Sequence, residues 1–195
     1  MDRPILIALH YQNDVLHAEG RIRVGLGDND RARLDLIDGA ARLLDGARQR
    51  GWPIIHVRVA YRPDYADLIQ NAPILRNVAA IGAVQEGSWG AAFHERLSPL
   101  NSEFVVTHNR INAFYGSTLE TLLRQLQTGH LVIAGVATHS VVESTVRHAV
   151  DCGFEVIVVA DACASAAPQA HQASLASMAL IAEISMVGQV LEVRP

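Results

Sequence analysis

The stretch Leu131-Val132-Ile133-Ala134-Gly135-Val136-Ala137-Thr138-His139-Ser140-Val141-Val142-Glu143-Ser144-Thr145 narrows the fold more than any other part of the chain. Leu131 to Ala134 is an unbroken apolar run, the pattern of a strand covered on both faces. Gly135 permits a turn, and Thr138 or Ser140 can cap a following helix. Ser140 and Glu143 have the spacing of a capping box. Val141, Val142, Thr145 and Ala149 then continue one helical face. A strand that ends in a tight turn and opens a helix aims backbone N–H groups at one point, which suits an anion or oxyanion. The side chain set over that point is Val141.

The same strand-then-helix pattern recurs along the chain. Ile5 to Leu9 reads as a first buried strand, ending in the polar run His10-Tyr11-Gln12-Asn13-Asp14. Residues 17–30 read as a surface loop. From Asp30 to Arg50, Leu34, Ile37, Ala41 and Leu44 mark an amphipathic helix stopped at Gly51. Further strands are expected at Trp52 to Val59, Glu103 to Thr107, Glu155 to Ala160 and Ile184 to Val187. A second capping box, Ser117 to Glu120, opens a helix that ends before Gly129, and another helix is expected from Pro168 to Ala182. Residues 60–98 lack a clear period, as rims and lids of binding sites often do. Strands alternating with helices predict a parallel sheet covered by helices on both faces. With no repeat or linker, residues 1–195 read as a single domain.

Composition narrows the function classes. A net charge of -4, with no run of basic residues, argues against a nucleic-acid partner. All 16 basic residues are Arg, a bias that fits a GC-rich bacterial genome. The apolar runs are too short for a signal sequence or a membrane span. Cys152 and Cys163 are the only thiols and make no disulfide framework, so a reducing, cytoplasmic setting is expected.

In open parallel sheets, residues just past strand C-termini converge on one crevice. Here those are His10, Arg58 to Arg62, His108 and Thr138 to Val141. Two histidines ending strands can act as acid and base or ligate a metal. Trp89, Phe114 and Tyr115 are candidates to line a small-molecule pocket, with core packing as the alternative. Arg62 and Arg110 are candidates to hold a carboxylate. Asp14 and Asp161 read as loop or cap residues. Gly25-Leu26-Gly27 matches no phosphate loop, lacking a third glycine and a preceding strand.

These segments resemble the isochorismatase-like hydrolases, also called cysteine hydrolases. The resemblance rests on Leu9 to Asp14, Val106 to Leu119, Gly135 to Thr145 and Asp161-Ala162, and it covers nearly the whole chain. It implies a three-layer α/β/α fold with a central, mostly parallel sheet of Rossmann-like topology, homodimers or homotetramers, and a cis peptide near Val136-Ala137. It also implies hydrolysis of amide-like C–N bonds by a Cys nucleophile assisted by Asp and Lys. One branch lacks the Cys and hydrolyses a vinyl ether using the Asp. This chain carries His10, His108 and Val141 where the family places its Asp, Lys and Cys. A Val side chain excludes an acyl-enzyme at that position. Some relatives hold a metal after the second strand, but Val57 to Arg62 lacks those ligands.

The expected function is hydrolysis of a small metabolite without a cysteine nucleophile, with His10 and His108 as the acid–base pair. Gln12, Arg62, Trp89, Phe114, Tyr115, Ala137, Thr138, His139 and Val141 are expected around the substrate. No cofactor is expected. One alternative is a metal such as zinc held by His10 and His108, with His139 as a third ligand. The other is a catalytically inactive relative that binds a metabolite or a protein.

Overall fold

The computed structural model describes residues 3–23 and 30–192. Gly25-Leu26-Gly27, and residues 24–29 of the loop expected over 17–30, lie outside the described residues. Six strands form one sheet: β1 Ile5–Leu9, β2 Ile54–Val59, β3 Phe104–His108, β4 His130–Val136, β5 Glu155–Ala164 and β6 Glu183–Ser185. Every pairing is parallel, and the spatial order is β3-β2-β1-β4-β5-β6. The apolar runs explain the two central positions. All five residues of β1 are buried, and all of β4 after His130.

The helices are α1 Asn13–Leu16, α2 Asp30–Gln49, α3 Pro73–Ala80, α4 Leu119–Leu126, α5 Glu143–Asp151, α6 Pro168–Met178 and α7 Val187–Glu192. The chain first runs outward from β1 to β3, then returns to β4 on the other side of β1. Right-handed crossovers in opposite directions put the connecting helices on opposite faces. Accordingly α2 packs with α7, while α5 packs with α6. The reversal of direction lies between β1 and β4, where such sheets form their ligand crevice. Among the described residues, no helix is long and apolar enough to cross a membrane.

Several local expectations change. Strand β5 continues past Asp161 to Ala164, because a register shift between Ile133 and Gly135 lets Gly135 and Val136 pair with Cys163 and Ala164. Asp161 is therefore a strand residue, and its Oδ1 accepts the Val187 N–H at the start of α7 (2.8 Å). Asp14 lies in α1, where its buried carboxylate accepts the N–H groups of Val84 (2.7 Å) and Arg21 (3.1 Å). The 60–98 segment holds α3 and its own apolar cluster, in which Leu75 and Val78 pack with Val59, Tyr61, Leu68 and Val84.

Neither capping box forms. Ser140 sits inside a π turn, Thr138–Val142, that precedes α5, and Glu143 turns to Arg147 and Ser174. Ser117 Oγ accepts the Leu119 N–H while donating to Ala113 O (2.6 Å).

Candidate active site

Three chain reversals build the site at the C-terminal edge of the sheet. Immediately after β1, His10 adopts a left-handed backbone with φ 56° and donates its N–H to Val57 O (2.9 Å). Such a conformation costs a non-glycine residue about 1–3 kcal/mol and persists where surrounding structure over-determines it. His108 is the last residue of β3. After β4, Gly135 has φ 153° and lies so close to β1 that a Cβ there would meet Leu9 O at 2.3 Å. The peptide between Val136 and Ala137 is cis, and the π turn follows it.

These reversals bring His10 Nε2 and His108 Nε2 to 2.5 Å, with both side chains buried. Only one of two facing nitrogens can carry the proton when both rings are neutral. The other contact of His108 fixes which. Its Nδ1 lies 3.2 Å from Asn112 O, a pure acceptor, so Nδ1 carries a proton and His108 Nε2 is left as acceptor. His10 Nε2–H therefore donates to His108, and the lone pair of neutral His10 resides on Nδ1. That atom has no partner among the described residues. Burial, then the adjacent His108, holds the His10 pKa well below its ordinary value. Burial lowers that of His108 to about 4, opposed in part by Asn112 O. Both rings are neutral at neutral pH.

His10 opens on a cavity of about 290 Å³, lined mainly by aliphatic groups. Val15, Val59, Ile74, Leu75, Val78, Ile111 and Val136 supply these walls. Its polar groups are few: His10, Tyr61, Arg110, His139 and Ser140. Arg110 is half-buried, and its guanidinium donates only to Ile69 O (3.3 Å) and Asn71 Oδ1 (3.2 Å). No carboxylate pairs with it among the described residues. Burial raises the Tyr61 hydroxyl to about 12 despite the Arg110 charge, so it remains a neutral donor.

Of the residues expected around a substrate, Ala137, His139 and Val141 line this cavity. The others do not. Gln12 is fully buried, its amide spent on Val59 O and Ala91 O (2.8 Å each) and on the Val59 N–H (2.9 Å), so it braces the crevice from behind. Thr138 is likewise buried, with Oγ1 2.8 Å from His171 Nδ1. Arg62 points outward and pairs with Asp64 at 3.1 Å. Trp89 packs edge-on to His17 on the surface, and Tyr115 is 67% exposed. Phe114 is buried against His148, ring centroids 4.7 Å apart.

The residues that sequence reasoning missed are chiefly the aliphatic ones of α3. His139 Nδ1 is 2.7 Å from Ser165 Oγ, and His139 joins no metal-sized cluster with His10 and His108 among the described residues.

The family model described as the isochorismatase domain matches residues 4–193, nearly the whole chain. The chain belongs to the isochorismatase family. Its relatives include a ureidoacrylate amidohydrolase from Methylorubrum extorquens, 27% identical over 181 residues that cover 87% of this chain and 73% of that protein. They also include a maleamate amidohydrolase from Pseudomonas putida, 29% identical over 69% of this chain and 62% of its own length. The structure of a cysteine hydrolase from Pseudomonas syringae superimposes with a TM-score of 0.87, covering 97% of this chain and 91% of that one. At 22% identity that likeness establishes the fold.

Proposed function

We propose that this isochorismatase-family protein hydrolyses the amide-type C–N bond of a small carboxylate, using His10 as general base on water and forming no acyl-enzyme. The observation that carries the reading is the His10–His108 contact, which leaves His10 Nδ1 as an unpaired lone pair on a residue lining the cavity. Val141 fills the position expected for the nucleophile, so attack falls to water.

In this reaction His10 Nδ1 takes a proton from water as the water oxygen adds to the substrate carbonyl. The oxyanion forms beside the π turn that follows Ala137, where backbone N–H groups stabilise negative charge. The proton is then delivered to the leaving nitrogen, the C–N bond breaks, and a carboxylic acid and an amine or ammonia result. The second histidine gives the transient charge somewhere to go. Once His10 is protonated, its Nε2 proton can pass to His108 Nε2, while His108 Nδ1–H stays on Asn112 O. Because burial disfavours imidazolium, the cation is tolerated only while the oxyanion is present.

The cavity supports the substrate class. Aliphatic walls with Arg110 at one side suit a short carbon chain ending in a carboxylate, which guanidinium holds in a bidentate fashion. Ureidoacrylate and maleamate, named for the two relatives, each join a carboxylate to a carbonyl–nitrogen group across a short unsaturated chain.

The test is a panel of small ureido- and carbamoyl-carboxylates assayed for ammonia release. The wild type is expected to turn over at least one member. His10→Gln is expected to lose about 10²–10⁴-fold in kcat, while a Cys163→Ser variant retains activity. Turnover unchanged in His10→Gln overturns the mechanism. Tight binding of panel members without turnover favours the second reading, a ligand-binding relative, for which buried Val141 speaks.

A further inference from the structure

We infer that Glu120, His148 and Cys152 form a binding site for a zinc-like divalent transition metal, away from the His10 cavity. His148 lies on α5 and Cys152 directly follows it, four residues on, so both project from one helical face. Glu120 stands in the first turn of α4. One ligand atom from each lies within 4.8 Å of the other two. Around tetrahedral zinc, with bonds of about 2.0–2.3 Å, donor atoms sit roughly 3.5 Å apart. Glu120 is about half exposed, which leaves its side chain room to rotate toward the other two donors.

The donor set points to the same class of ion. A thiolate, an imidazole and a carboxylate together select zinc or a neighbouring transition metal over magnesium or calcium, which prefer oxygen ligands. The imidazole is already oriented, since the His148 ring stacks on Phe114 at an interplanar angle of 12°. Cys152 is free, and the only other thiol, Cys163, is buried in β5. One cation competes for the site. Arg124 lies 3.4 Å from Glu120 and donates to Cys152 O (3.2 Å). Both members of that ion pair are about half exposed, so releasing Glu120 costs little. Burial and the charges of Glu120 and Asp151 hold the Cys152 thiol above its ordinary pKa, against Arg124. A dication reverses that balance. On binding, the S–H bond breaks, a metal–sulfur bond forms and the proton leaves to solvent.

The ion would tie α4 to α5 beside the loop that orients His108. Phe114 N–H donates to Asn112 Oδ1 and Asn112 Nδ2 donates to Ser144 O on α5, while Asn112 O accepts the hydrogen bond of His108 Nδ1–H.

The experiment titrates cobalt(II) into the metal-free full chain, then displaces it with zinc. One equivalent per chain is expected, with a thiolate-to-cobalt charge-transfer band in the near ultraviolet. Cys152→Ser should abolish the band, and His148→Gln should weaken binding at least tenfold. Cys163→Ser and His10→Gln should bind as wild type, and circular dichroism verifies that each variant is folded. Absence of the band in the wild type overturns the site. So does a band that survives Cys152→Ser or vanishes in Cys163→Ser.

Discussion

Replacing His108 by Gln should change how stability depends on pH more than it changes stability at neutral pH. In the unfolded chain His108 takes a proton near 6.5, whereas in the folded protein burial delays protonation to about 4. Between those values the unfolded state binds more protons, so stability rises with pH. This contribution is complete above about 6.5 and is lost as pH falls toward about 4. At about 1.4 kcal/mol per pH unit, the full interval corresponds to about 3 kcal/mol. About 2 kcal/mol of it lies between pH 8 and pH 5.

Urea unfolding at several pH values, extrapolated linearly to water, measures the effect for wild type and variant. Their difference is the informative quantity, because His56, His94 and His171 also have depressed pKa values and contribute equally to both, while His10, lowered first by burial and only second by His108, keeps its main cause in the variant. The wild type should lose about 2 kcal/mol relative to His108→Gln on acidification from about pH 8 to pH 5. Parallel curves across that range would refute the argument, since they mean that His108 titrates alike in both states, and a gap that opens the other way on acidification would mean that it is protonated in the folded protein.

Other perturbations test separate parts of the structure. Glu103 accepts hydrogen bonds from Arg48, His56 and the Leu100 N–H, and its carboxyl is held near 2. Glu103→Gln should cost about 3 kcal/mol at pH 7 by urea unfolding, and the penalty should shrink as pH falls from the ordinary 4.5 toward about 2. Gly135→Ala places a Cβ 2.3 Å from Leu9 O and 2.5 Å from Leu9 Cβ, in a backbone conformation hostile to side chains. A loss of more than about 3 kcal/mol, or failure to yield soluble protein, is expected. Arg110→Gln should raise KM for a carboxylate substrate by about 10–100-fold with little change in kcat, whereas Arg62→Gln should leave both parameters near wild type.

The central strands were legible because β1 and β4 are buried on both faces and need unbroken apolar runs. The convergence of His10 with His108 also followed from topology, since both end strands of one parallel sheet. What failed was whatever depends on partners distant in sequence. Ser140 and Ser117 have capping-box spacing, but a π turn takes up Ser140, and the Ser117 N–H goes to Phe114 O while Glu120 turns to Arg124. Helix α3 carries only two buried side chains, Leu75 and Val78, too few to set a visible period. Without that helix the cavity's wall could not be foreseen, and aromatic residues were the natural substitutes for it. Arg62 and Arg110 look alike in sequence. They separate only because Asp64 neutralises one, while the other lines the cavity with no acidic partner among the described residues.

The claim on which the mechanism rests is that a neutral pair leaves His10 Nδ1 bare toward the cavity. Nitrogen-15 NMR of the ring nitrogens, assigned by comparison with His10→Gln and His108→Gln, tests it directly. At pH 7 His10 should show a protonated Nε2 and an unprotonated Nδ1, and His108 a protonated Nδ1, with neither ring titrating between about pH 8 and pH 5. A His10 ring that carries its proton on Nδ1, or an imidazolium at either position at pH 7, would contradict it.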